Sequence, residues 1–202
     1  MSLPKDTARH AEKMKKRKAA QDRKTAQKTI EKGLLIVHTG SGKGKSTAAF
    51  GMAMRAIAHG MKIGIIQFIK GSWESGERAI FEKFPENVEI HAAGEGFTWE
   101  TQDRERDIEL VNRAWEKARE MILDPDITMV VLDELNIALR YEYLPLDEVV
   151  KFLQNRPADT HVIVTGRNAR TALVEAADLV TEMALIKHPF RSGVKAQPGI
   201  EF

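Results

Sequence analysis

The octapeptide Thr39-Gly40-Ser41-Gly42-Lys43-Gly44-Lys45-Ser46 constrains this chain more than any other stretch, because of what flanks it. Before it runs the apolar sequence LLIVH over 34–38, of strand type. After it, residues 45–59 put Ala49, Met52, Ala53, Ala56 and Ile57 on one helical face, and Gly60 ends the run. A strand, a glycine-rich turn and a helix, in that order, make a phosphate cradle. The glycines let successive backbone N–H groups curl toward phosphate oxygens, and the helix adds the positive end of its dipole. Lys45 supplies a mobile positive charge and Ser46 a hydroxyl for a magnesium ion. Thr39 stands where such loops usually open on glycine, which leaves the flexibility of the turn to Gly40 and Gly42.

The alternation continues toward the C-terminus. Strands are expected over 62–69, 88–91, 128–132, 161–165 and 179–186, and helices over 76–84, 103–123, 146–154 and 169–177. Within 103–123, Ile108, Val111, Trp115, Ala118 and Ile122 recur at helical spacing. Strands this apolar, alternating with helices, predict an α/β fold: a mostly parallel sheet with helices on both faces, P-loop NTPase-like. The strand over 128–132 runs into Asp133 and Glu134. Carboxylates at that strand tip are the usual metal-side partner of a phosphate loop, and either can hold Mg²⁺ directly or through water, facing Ser46.

Composition removes several alternatives. The chain has no cysteine, which excludes disulfides, thiolate zinc sites and iron–sulfur clusters and makes the cytoplasm the expected address. Its six histidines show no metal-ligand spacing. His38 and His161 read as satisfied sheet-edge residues, and Trp115, Tyr141 and Tyr143 as packing groups. No apolar run is long enough to span a membrane, and the N-terminus has no secretory core. The net charge of +2 hides an asymmetry: residues 1–32 carry eleven Lys/Arg against four Asp/Glu, residues 33–202 twenty against twenty-five. Two regions are therefore expected: a basic, partly helical N-terminal segment over 1–32, with helix within 11–28, and an α/β domain over 33–202. The segment reads as a disordered tail or exposed helix; nucleic-acid binding is disfavoured because no aromatic residues interleave with the charge.

Physical reading alone stops at a protein that binds Mg-NTP. The motifs GKGKSTAAFGMAMRAIAHG, QFIKG, EGFTWETQDRERD, VVLDELNIALRYEYLP, VTGRNA, ADLVTEM and KHPFRSGVKAQPGIEF go further. Over about residues 33–202 the chain resembles the P-loop class of ATP:corrinoid adenosyltransferases, and common P-loop enzymes lack both GFTWET and the GVKAQ-GIEF tail. Ser41, where the family often has Asn, and Arg170, where Pro is common, are departures. The resemblance implies transfer of the 5′-deoxyadenosyl group of ATP to the cobalt of a reduced corrinoid, with release of inorganic triphosphate.

It also implies roles. Gly40, Ser41, Gly42, Lys43, Gly44, Lys45, Ser46 and Thr47 would hold ATP, with Arg167 and Asn168 from a nucleotide-side loop. Lys45 and Glu134 would be the catalytic pair. Ser46 and Glu134, with Asp133 behind or through water, would serve Mg²⁺ or Mn²⁺. Phe97 and Trp99 would press on the lower face of the corrinoid, displace its axial ligand and ease reduction of cobalt. The partners implied are the corrinoid, an external reductant such as a reduced flavoprotein, and a second copy in a homodimer, whose N-terminal segment can lie across an active site. The residues themselves leave open a P-loop kinase or NTPase, a RecA-like nucleic-acid-stimulated ATPase, and a regulatory nucleotide-binding module.

Overall fold

The computed structural model describes residues 3–69, 76–93 and 103–200. The chain divides into two compact units, Met1–Lys32 and Gly33–Phe202. The first is a helix, α1 (Leu3–Ala26), longer than the 11–28 expectation at its N-terminal end. Lys, Arg, Gln and Ala all favour helix, and i,i+4 pairs Glu12–Lys16 (2.8 Å) and Lys18–Asp22 (3.4 Å) line it. Both pairs are exposed, so each adds little stability.

In the second unit, six strands among the described residues form one parallel sheet in the order β3-β2-β4-β5-β1-β6. They are β1 (Leu35–Thr39), β2 (Lys62–Gln67), β3 (Val88–Ala92), β4 (Ile127–Asp133), β5 (His161–Thr165) and β6 (Leu179–Glu182). The connecting helices are α2 (Lys45–Ala58), α3 (Gly76–Phe81), α4 (Arg104–Leu123), α5 (Leu135–Arg140), α6 (Leu146–Gln154) and α7 (Thr171–Ala176). Period-two alternation divides the strands between two cores. Ile36, Ile65, Val131 and Ile163 face α2 and α3, packing on Ala49, Phe50, Ala53 and Phe81. Val37, Leu132, Val162 and Val164 face the other way, onto Val111, Trp115, Ala118 and Ile122 of α4 and onto α5, α6 and Leu173 of α7.

Local signals explain the element ends. Asp103 caps α4, its carboxylate accepting the Arg106 N–H at 3.1 Å, and Glu105 and Asp107 sit at the positive end of the dipole. Trp115 packs edge-on against Phe152 (5.5 Å), and Tyr141 stacks on the buried Tyr143 (5.7 Å), as packing groups should.

Four details depart from the sequence expectation. The helix over 76–84 ends at Phe81, and α5 was not anticipated, although Leu135, Ala138 and Leu139 have helical spacing. β6 stops at Glu182 instead of running to 186, because the backbone of Met183 turns to bond the phosphate loop. Its four residues are exposed, so this edge is not covered on both faces.

His38 is the fourth departure. His161 is satisfied, its Nδ1 accepting the Leu34 N–H at 3.1 Å, although its strand β5 is not an edge but lies between β4 and β1; His38 likewise lies inside the sheet, between β5 and β6. It is buried with neither ring nitrogen paired, and burial pushes its pKa below the usual value. Its neutral ring is tolerated where an imidazolium would be costly.

Candidate active site

Parallel strands put all their C-terminal ends on one rim, and the loops there meet. On the α2 face of that rim, the alternation that buries Ile65, Val131, Ile163 and Ile36 brings polar residues up next: Gln67, Asp133, Thr165 and His38. Strand register sets Gln67 beside Asp133 and His38 beside Thr165. A polar row thus crosses the sheet at the tip of β1, where the phosphate loop begins.

The loop is braced from β6. Thr39 O accepts the Met183 N–H at 2.8 Å, and Gly42 N–H donates to Met183 O at 2.6 Å. Gly42 is there for close approach: a Cβ on it would lie 2.7 Å from the carbonyl oxygens of both Met183 and Ala184. Its N–H is therefore committed to the Met183 carbonyl just past β6 and is not among the loop N–H groups that turn to phosphate. Gly42→Ala is expected to cost about 1–3 kcal/mol of stability, because backbone rather than a flexible side chain must move. Thermal melting beside ATP titration checks this. A variant that melts and binds like the parent contradicts the bracing.

Gly44 caps α2, and Lys45 and Ser46 open it. Lys45 is buried, with Nζ donating to the Gly42 carbonyl oxygen, a position in which a phosphate oxygen could substitute. Burial chiefly lowers its pKa; Glu134 and Asp133 counter this, while Arg167 and Lys43 add to it. Ser41, Lys43 and Thr47 are exposed around the loop.

The carboxylates differ in kind. Asp133 is buried and accepts the Thr165 hydroxyl at 2.7 Å, with Ser46 and Gln67 also bonding to it. Burial nonetheless pushes its pKa up. Thr165 Oγ1 also accepts the Glu134 N–H at 3.0 Å, so one hydroxyl ties both acidic residues to β5. Glu134 has a left-handed backbone (φ 60°), uncommon without glycine, which turns its side chain at the start of α5. Its Oε2 is buried without a hydrogen-bond partner. Burial first, then the Asp133 charge, pushes its pKa to about 7, with Lys45 and Arg167 opposing. An orphaned carboxylate oxygen, beside an Asp133 that itself bonds the Ser46 hydroxyl, suits a cation.

Among the described residues no cluster of three or more His, Asp or Glu could hold a metal alone. A magnesium ion fits here only with oxygens from elsewhere, as Mg²⁺ bound to nucleotide phosphates usually has. Arg167 and Asn168 lie exposed in the turn after β5, Asn168 with a φ of 56°, and the charge of Arg167 reaches both Lys45 and Glu134. Phe97 and Trp99 lie outside the described residues.

Thr165, Gln67, Asn136 and Met183 were not singled out in the sequence. A threonine ending the apolar strand VIVT was the one available signal. A separate surface cavity of about 290 Å³, lined by Lys62, Asn87, Asp126 and others, lies at the opposite rim, where β2, β3 and β4 begin.

Comparison with known proteins places the chain in a family. Residues 31–202 match the family described as ATP:corrinoid adenosyltransferase BtuR/CobO/CobP, and residues 1–24 match the cob(I)alamin adenosyltransferase N-terminal family. A corrinoid adenosyltransferase of Pseudomonas aeruginosa is 56% identical over 98% of this chain and 98% of its own. One from a Sinorhizobium species is 60% identical over 98% and 94%, and one from Escherichia coli K12 46% over 96% and 98%. With a phosphate loop, a carboxylate pair facing it and 46–60% identity to these proteins over nearly their full length, the chain belongs to the ATP:corrinoid adenosyltransferase family.

Proposed function

We propose that the protein transfers the 5′-deoxyadenosyl group of ATP to the cobalt of a reduced corrinoid. The observation that carries this is the meeting of a buried, phosphate-ready Lys45 with an orphaned Glu134 oxygen, in a chain of this family. An external one-electron donor, of reduced-flavoprotein type, first takes cob(II)alamin to cob(I)alamin. The cobalt electron pair then forms a bond to C5′ of the ribose, the C5′–O5′ bond breaks, and triphosphate leaves with the C5′–O5′ bonding pair on its oxygen. Lys45 gathers negative charge on the leaving group, aided by N–H groups of the loop and by Arg167. Ser46 and Glu134 would hold Mg²⁺, which supplies further charge neutralisation when bound, and Asp133 fixes Ser46 from below. No residue need act as nucleophile or general base, because the corrinoid is itself the nucleophile. The working unit is a homodimer.

Incubation with ATP, Mg²⁺ and reduced cobalamin tests the reading directly. The corrinoid absorption spectrum should change to that of an alkylated cobalt(III) species. ATP bound without such a change would leave a nucleotide-binding module instead.

Phe97 and Trp99 are assigned to the corrinoid side, since large rings in a polar stretch suit a flat macrocycle. Phe97→Ala and Trp99→Ala should each slow the reaction more from cob(II)alamin than from chemically prepared cob(I)alamin. The rings assist reduction rather than alkylation. Equal losses from both starting materials would return them to packing.

A further inference from the structure

We propose that Thr39 and Asn136 are positioning residues that strap the turn after β5 beside the phosphate loop, so that Arg167 meets the triphosphate. The turn, residues 166–170, links β5 to α7 and is held at two points by side chains from the end of β1 and the first turn of α5. On the β4 side, Asn136 in the first turn of α5 is buried, and its Nδ2 donates to Gly166 O at 2.9 Å. That bond fixes the amide, because a carbonyl can only accept. On the β1 side, Thr39 Oγ1 accepts the Ala169 N–H at 3.0 Å. Between the two anchors stand the exposed Arg167 and Asn168.

The anchoring is close. Gly166 has a φ of 125°, and a Cβ on it would lie 2.8 Å from Asn136 Cβ and 2.9 Å from Glu134 Oε2. Asn136 thus sets how near the turn comes to the carboxylate assigned to magnesium. Thr39 ends β1 and begins the phosphate loop, so its hydroxyl couples that loop to the Arg167 turn. A glycine at this position, the usual opening of such loops, could make no such bond. The threonine that looked like a departure has its physical reason in the Ala169 N–H.

Arg167 has the charge to bind a leaving triphosphate, but a long side chain on a loose turn loses much of its effect to ordering entropy. Two anchors at the base of the turn reduce that loss, as supporting hydrogen bonds do for binding groups generally. The inference rests on the triphosphate reading of the site, and its test separates the two.

Mg-ATP binding to the full chain is measured by calorimetry for Thr39→Val, Asn136→Leu, Arg167→Ala and the pairwise combinations with Arg167→Ala. Each single variant should weaken ATP by about 5- to 20-fold, the range of one hydrogen bond to a charged group or its support. Each double variant should bind within about twofold of Arg167→Ala alone, because the straps act through the arginine. Thr39→Ser, which keeps the hydroxyl, should bind like the parent. In turnover with prereduced corrinoid, KM for ATP should rise more than kcat falls. Additive losses in the double variants, or Thr39→Ser as weak as Thr39→Val, would overturn the proposal. Should Asn136→Leu fail to fold, the Thr39 variants alone decide. Arg167→Ala with normal affinity, beside a weakened Lys45→Ala, would overturn the straps and leave the phosphate-loop reading standing. Normal affinity in both would overturn the two together.

Discussion

Lys45→Ala lowers the affinity for ATP by about 10- to 100-fold, the loss of a charge-assisted contact made in a buried setting. Turnover falls further, by about 100- to 1,000-fold, because charge on the triphosphate grows as the C5′–O5′ bond breaks. The fold survives. Lys45 lies in the first turn of α2, and its Nζ bonds to a loop carbonyl, while the core beneath is built by Ala49, Phe50 and Ala53. Relief from burying an ammonium, the main cause of its lowered pKa, even favours the ligand-free variant. Calorimetry with ATP and a melting curve measure the two effects separately. A normal ATP dissociation constant would remove the phosphate-loop argument; a collapsed melting curve would make Lys45 a structural residue.

Glu134→Gln loses activity and gains stability. The carboxyl titrates near 7 in the fold against an ordinary 4.5, so between those values the native state holds a proton that the unfolded state has lost. Stability contributed by this group therefore falls as pH rises from about 4.5 to 7, and the penalty is complete above 7. It amounts to about 3 kcal/mol for the ligand-free protein. Glutamine keeps the shape and cannot ionise, so the ligand-free variant should melt higher than the parent at pH 8 and match it near pH 4.5. If Glu134 holds the metal as proposed, the same change removes a charge from its site, and Mn²⁺ affinity in the presence of ATP should drop by at least about 10-fold. Denaturant unfolding across pH, and Mn²⁺ titration by electron paramagnetic resonance, check the two halves. Parallel pH curves for variant and parent would place the Glu134 carboxyl in water; unchanged Mn²⁺ binding would take it out of the metal site.

The parts legible in the sequence were those built by local rules. Strand–helix periodicity located the parallel sheet, and the glycines with Lys45 and Ser46 marked the phosphate loop, because both are properties of consecutive residues. Asp133 and Glu134 were visible as charge at the end of an apolar run. What divides their environments was not, since it depends on Thr165, 31 and 32 residues away in sequence, and on the left-handed turn at Glu134. The bracing of Gly42 by Met183 depends on β6 lying beside β1, a neighbour relation that follows from strand order and not from spacing. His38 shows the limit clearly: its place near a strand end suggested a sheet edge, whereas β6 closes over that side and buries it. Thr39 shows the converse, a mismatch with a motif that has a partner 130 residues away.

The phosphate loop recognises a polyphosphate and is silent about which bond of ATP breaks. A kinase or NTPase exposes the γ-phosphorus, whereas adenosyl transfer needs C5′ facing cobalt and the whole triphosphate as leaving group. Lys45, Ser46 and Glu134 can stabilise either leaving charge, so the products decide. Phosphorus NMR of a reaction with ATP, Mg²⁺ and prereduced cobalamin, run alongside the corrinoid spectrum, measures them together. Inorganic triphosphate should appear in a one-to-one ratio with adenosylated corrinoid, with no ADP tied to turnover. ADP and orthophosphate rising with turnover would contradict adenosyl transfer and restore cleavage at the γ-phosphate.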